Sequence, residues 1–156
     1  MNNFSFNEYQ QSTMDFYHRV ADALESPEDL AYAERLTAAT LGVLRELITT
    51  EQSLHLISNL PMMIKGVYVN GWKLRSERVR VKTREEFFAL LREKYPRTTG
   101  RTLGDYQSVR KDVKAVLSVL KTYISEGGLE HIQSQLPQPI ADLWEREAFE
   151  DRMSVG

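Results

Sequence analysis

Apolar residues recur along most of this chain at three- and four-residue steps, the period of a helix with one buried face. Ser12-x-x-Asp15 predicts a helix start, followed by Phe16, Tyr17, Val20 and Leu24 on one stripe. Ser26-Pro27-Glu28-Asp29 offers a hydroxyl cap, proline at the first helical position and acids in the first turn. The helix it predicts runs to about Ile48, and its apolar face is wide enough for burial on most sides. Thr49-x-x-Gln52 predicts a short helix that stops at Leu60-Pro61, and Met62–Val69 another that ends at the Asn70-Gly71 turn. Val79 and Val81 then alternate with Arg78, Arg80 and Lys82, the pattern of an extended strip with one side packed and one side wet. Helices are predicted again after Thr83-x-x-Glu86, over Tyr106–Ile124, after Ser125 and after Pro137.

The pattern is written twice. Ala39-Thr40-Leu41-Gly42-Val43-Leu44 leads on to Thr49, His55, Ser58 and Leu60-Pro61. Seventy-six residues later, Ala115-Val116-Leu117-Ser118-Val119-Leu120 leads to Ser125, His131, Ser134 and Leu136-Pro137. Self-similarity at a fixed offset marks a duplicated supersecondary unit. The expected fold is all-α: two tandem repeats of about four helices each, related by a pseudo-two-fold and packed as one compact helical domain. The expected organisation is a loosely held leader (1–12), repeat one (13–69), a basic linker (70–82), repeat two (83–149) and an acidic tail (150–156).

Leu60-Pro61, Gly71-Trp72, Glu86-Phe87-Phe88 and Gln135-Leu136-Pro137 carry a family resemblance. Over roughly residues 13–147 the chain resembles a bacterial family known as domain of unknown function 2267. That family has two helical repeats, each closing on a Gln-Leu-Pro type motif, with a Gly-Trp near the junction. The first copy departs from the pattern, with Asn59 where the motif prefers Gln. The resemblance implies a fold; it supplies no activity, substrate or catalytic residue.

Composition narrows the chemistry. The 156 residues contain no cysteine, which removes disulfides, thiolate metal sites and cysteine nucleophiles. Neither a signal peptide nor an apolar run of membrane-spanning length is present, so a cytoplasmic protein without a membrane partner is expected. The net charge of −2 hides a segregation. Residues 1–72 hold 4 Lys and Arg against 9 Asp and Glu, residues 73–121 hold 14 against 6, and residues 122–156 hold 2 against 7. Oppositely charged blocks on one chain favour association with a partner or with a second copy.

No phosphate-binding glycine loop, His-Glu-x-x-His, calcium loop or nucleophile elbow occurs, so no catalytic residue and no cofactor are expected. His55 and His131 occupy the same position in the two copies, and with Glu51 or Glu130 would form a zinc set if the pseudo-two-fold brought them together. The competing reading is two histidines on the outer sides of short helices; it is preferred, and no metal is expected. Trp72, Lys73, Arg75, Arg78, Arg80, Lys82 and Arg84 form a basic stretch with an aromatic at its edge, with Arg92, Lys94, Arg97 and Arg101 beyond. Such a block grips phosphate backbones or is neutralised by acidic surface, and an overall pI near 6.0 weighs towards the second. Asn59-Leu60-Pro61 and Gln135-Leu136-Pro137 read as structural motifs whose amides bond exposed helix-end groups. The expectation is a non-enzymatic interaction module, binding a protein or itself as a homodimer. The alternative is a nucleic-acid-binding or regulatory protein that uses the basic block 73–101.

Overall fold

Helix α1 (Phe6–Ala23) starts earlier than Ser12, because Ser5 is the residue free to cap it: its hydroxyl accepts the N–H of Glu8. Residues 6–12, expected as a loosely held leader, are helical. Ser12 and Thr13 instead donate their hydroxyls to the carbonyl of Tyr9, at 3.0 and 2.7 Å, as helix-interior Ser and Thr do. The computed structural model describes residues 5–74, 77–97 and 100–144. Six further helices are complete within them: α2 (Leu30–Leu47), α3 (Thr50–Asn59), α4 (Met62–Val69), α5 (Arg84–Lys94), α6 (Tyr106–Lys121) and α7 (Glu126–Gln135). Residues 138–144 are helical as well and form α8, and no strand occurs among the described residues. The expected acidic tail lies outside them.

Ser26 does not begin α2. It closes α1 by donating its N–H to Ala21 O, while Glu25 donates to Asp22 O with φ at 60°. That pair of bonds is the Schellman arrangement, here with Glu in the left-handed position usually given to Gly. The chain then turns, and α2 begins at Leu30 with Asp29 as its cap, accepting from the N–H of Tyr32 at 3.1 Å. The remaining starts fall where the sequence puts them: Thr49 caps α3, Thr83 caps α5 and Ser125 caps α7. Helix α6 stops at Lys121, three residues short of the expected Ile124. The starts of α2 and α6, and of α3 and α7, each differ by 76 residues.

Helix α2 is the centre. It packs against α1, α4, α5 and α6; α1 also packs on α6 and α4, and α3 lies on α7 and α4. The buried side chains form one cluster, with Phe16, Tyr32, Leu36, Leu44, Leu56, Phe87, Leu117 and Leu120 almost wholly removed from solvent. Each such side chain contributes on the order of 1.5–3 kcal/mol relative to exposure. Gly42 lets α5 come close: a Cβ there would lie 3.2 Å from the Cβ and Cγ of Lys94. The Lys94 stem thus crosses α2, and its ammonium reaches Glu46 Oε1 at 2.8 Å, both groups largely buried.

Polar contacts join the early helices to the late ones. Arg19 on α1 donates to Thr122 Oγ1 at 2.8 Å and Tyr123 Oη at 3.1 Å. Tyr32 Oη donates to Asp112 Oδ2 at 2.5 Å, and the Arg101 guanidinium lies 3.7 Å from the centre of the Tyr32 ring. Burial, then the Asp112 carboxylate, hold the Tyr32 phenol well above its ordinary value. Tyr68 and Trp144, which stand 76 residues apart, are both inside the core. Met62 and Met63 are 45% and 42% exposed, because Ile64 and Tyr68 already supply the buried face of α4.

A basic cleft at the helix junctions

Helix α2 ends at Leu47, and the next residues, Ile48 and Thr49, are extended before α3 begins. This break leaves helix-end carbonyls and N–H groups that need partners. Two distant segments supply them. Val79 donates its N–H to Glu46 O at 3.1 Å, which ties the extended strip 77–82 to the end of α2. Gln135 Oε1 accepts the N–H of Thr49 at 2.8 Å, which ties the end of α7 to the start of α3.

Between these ties lies an open cleft of about 750 Å³. Its wall on one side is the strip: Val81 is buried, Val79 half-buried, and Arg78, Arg80 and Lys82 are exposed between them. This is the alternation written in the sequence. Gln135, Leu136 and Pro137, Trp72 and Lys73, and Arg45 to Thr50 complete the lining. The cations of the lining are Arg45, Lys73, Arg78, Arg80 and Lys82; its acids are Glu46 and Glu77. Since Glu46 is already engaged by Lys94, the cleft carries a strong positive excess.

Arg45 is fixed by two bonds from Nη1, to Tyr68 O at 3.0 Å and Asn70 O at 2.8 Å. Its Nε is buried and has no hydrogen-bond partner among the described residues. Tyr68 in turn meets Trp72 edge to face, with centroids 5.8 Å apart, and its hydroxyl pairs with Ser53 Oγ at 2.6 Å. Burial keeps the Tyr68 phenol well above its ordinary value, against the smaller opposing pull of the Ser53 bond and Arg45.

The cleft thus brings together two stretches the sequence treats separately, the basic strip and the second Gln-Leu-Pro motif. Other candidates stay apart. Asn59 turns back on its own helix, donating Nδ2 to His55 O at 2.9 Å, and Asn59, Leu60 and Pro61 line no part of the cleft. Arg84 stacks over Tyr106 on the outer face of α5, Arg92 over Phe88, and Arg101 is held by Tyr32 and Asp29. The block 73–101 is therefore not one surface. Arg75 lies outside the described residues. His55 and His131 are both exposed, and among the described residues no three His, Asp or Glu side chains gather as a metal site requires.

Arg45 and Thr50 were missed by sequence reasoning. Arg45 reads as a basic residue in a helix last turn, where it suits the dipole, and only the fold shows that it lines the cleft. Among the described residues, no helix is long and apolar enough to cross a membrane. No curated protein matches the chain. One family model does, over residues 13–143, and its description is that of an uncharacterized conserved protein. The chain belongs to the family known as domain of unknown function 2267 (DUF2267).

Proposed function

We propose that this protein is a non-enzymatic interaction module, made of two tandem four-helix units related by a pseudo-two-fold. Its cleft holds an anionic segment of a partner protein or of a second copy. The observation that carries the reading is the convergence of five cations from three separate segments on one open cleft. Exposed cations that only neutralise acidic surface have no need to share a concave wall. The matched helix starts 76 residues apart support the duplicated plan. Against an enzyme, no imidazole lines the cleft, and one of its two carboxylates, Glu46, is already paired with Lys94.

The test is capture of partners from cell lysate by the intact chain and by the variant Arg78→Glu/Arg80→Glu/Lys82→Glu. Partners that survive nuclease, leave in high salt and are missing from the variant support the reading. Equal capture by the variant overturns it. Loss of all partners on nuclease treatment transfers the cleft to nucleic acid, the second reading, which the same basic strip favours. For self-association, a sedimentation mass that stays monomeric at every salt concentration removes the second copy as the occupant.

A further inference from the structure

We infer that the anionic group held in this cleft is a phosphate ester. The inference rests on the proposed role of the cleft and names its ligand chemistry. The charged groups of the lining are mostly donors: five cations stand against Glu77 and Glu46, and Glu46 is paired with Lys94. Arg78, Arg80, Lys73 and Lys82 are exposed and carry only N–H groups. Gln135 adds two more. Its Oε1 is used by the Thr49 N–H, so its amide is oriented, and both hydrogens on Nε2 remain to be placed. Thr50 brings the first N–H of a ten-residue helix to the same wall, with the positive end of the helix dipole.

A carboxylate has two oxygens and one charge, too few acceptors for so many donors. A phosphate monoester has three free oxygens and up to two charges, and planar guanidinium forks match it in pairs. The cleft is also larger than a phosphate group. At about 750 Å³ it falls within the usual range of small-ligand sites, about 300–1,000 Å³. The apolar part of the lining includes Trp72, Leu136 and Pro137, which suits a flat or apolar carrier of the phosphate.

The experiment is calorimetric titration of the full chain with inorganic pyrophosphate, with citrate at matched ionic strength as the carboxylate control. Pyrophosphate binding at least tenfold tighter than citrate is expected. The decisive variant is Gln135→Glu. A glutamate keeps an oxygen for the Thr49 N–H, so the unfolding midpoint should barely move, but it removes both amide hydrogens and adds a negative charge. Pyrophosphate affinity should fall at least tenfold. Arg80→Gln should lower it by a smaller factor and flatten its salt dependence.

Absence of pyrophosphate binding to the wild type overturns the inference, as does equal binding by Gln135→Glu. A second titration, with a nucleotide and with a phosphoserine peptide, separates a free phosphate ester from one carried on a protein; tighter binding of either than of pyrophosphate supports the inference. Partners captured through the cleft without pyrophosphate binding would sink the phosphate and leave the interaction role standing. Pyrophosphate binding without loss of partners in the charge-reversed variant would do the reverse.

Discussion

The stretches 30–69 and 106–144 share a frame and differ in how much polarity they bury. Helix α3 and helix α7 have the same length, the same cap geometry and the same extended exit. Yet the first stretch carries Thr37, Thr40 and Tyr68 in its core, where residues 76 positions later are Val113, Val116 and Trp144. Tyr68 bonds a side chain, Ser53, whereas the Trp144 Nε1 donates to a backbone carbonyl, Leu117 O, at 2.8 Å. The frame is set by caps and apolar spacing, which both stretches keep. The buried polar groups are extra to it, and they should reveal themselves as weaknesses of the first stretch and of α1, which packs on it.

The largest of these weaknesses is alkaline. Burial pushes the Tyr17 phenol up to about 12, and holds Tyr32 and Tyr68 higher still, from an ordinary 10.0. The folded state therefore keeps protons that the unfolded state releases, and stability present in full below pH 10 is lost as pH rises through 12. The residues 76 positions after Tyr32 and Tyr68 are Ser108 and Trp144, neither of which titrates there. Urea midpoints should be level from neutrality to about pH 9 and then fall, while phenolate absorbance shows a group of tyrosines ionising only on unfolding. A Tyr17→Phe variant with an unchanged alkaline decline would contradict this account.

Next come the two threonines. Thr37 and Thr40 are buried, and their hydroxyls have no hydrogen-bond partner among the described residues. Val is nearly the same shape, and the later half already uses it. Thr37→Val and Thr40→Val should each stabilise by about 1 kcal/mol, since an unsatisfied buried hydroxyl costs on the order of 1–3 kcal/mol. Chemical denaturation of the double variant reads the sum; an unchanged or lower midpoint would mean that the hydroxyls find partners in solution.

The junction amides follow. Removing the Gln135 amide by Gln135→Ala leaves the half-buried Thr49 N–H without its acceptor, at a loss of about 1–2 kcal/mol. Asn59→Ala removes only a bond between exposed groups and should change stability by less than about 0.5 kcal/mol. Equal losses in the two variants would erase the distinction between the junctions.

These junctions also show what is legible from sequence. Caps such as Thr49, Thr83 and Ser125 were legible because their hydroxyls had no competing use, whereas Asp105, which caps α6, went unread although the helix start at Tyr106 was placed. Ser12 and Ser26 misled because a serine also bonds the carbonyl one turn back, or closes the helix before it. The cleft was out of reach for a different reason. Its walls come from residues 45–50, 72–73, 77–82 and 135–137, and periodicity within a helix says nothing about which helix ends meet. Arg78 and Arg84 look alike along the chain, yet only the fold puts one in the cleft and the other over Tyr106.

Helix α7 carries a smaller weakness of its own, because it opens on Gly127 and Gly128. A Cβ on Gly127 would meet nothing within 4 Å, so Gly127→Ala should stabilise by about 1 kcal/mol through helix propensity alone. A Cβ on Gly128 would lie 3.0 Å from Ser125 Oγ, the cap that receives the Gly128 N–H. Gly128→Ala should therefore gain less or lose. Thermal melts of the two variants that moved equally would show that the cap is free to shift.

The smallest expected effect tests the asymmetry most directly. Asn59→Gln restores the family's preferred amide in the first copy and extends its reach by one methylene. By the 76-residue relation, its target is the Ser125 N–H, as Thr49 is the target of Gln135. Ser125 is exposed whereas Thr49 is half-buried, so water already satisfies the N–H that the longer side chain would meet. Exchanging a hydrated bond for an internal one yields little, and the change also gives up the Asn59 bond to His55 O. The unfolding free energy should stay within about 0.5 kcal/mol of the wild type. A gain above about 1 kcal/mol would mean that the α7 cap is as dry as the α3 cap. In that case the missing methylene, and not the burial of the opposite cap, is what separates the two junctions.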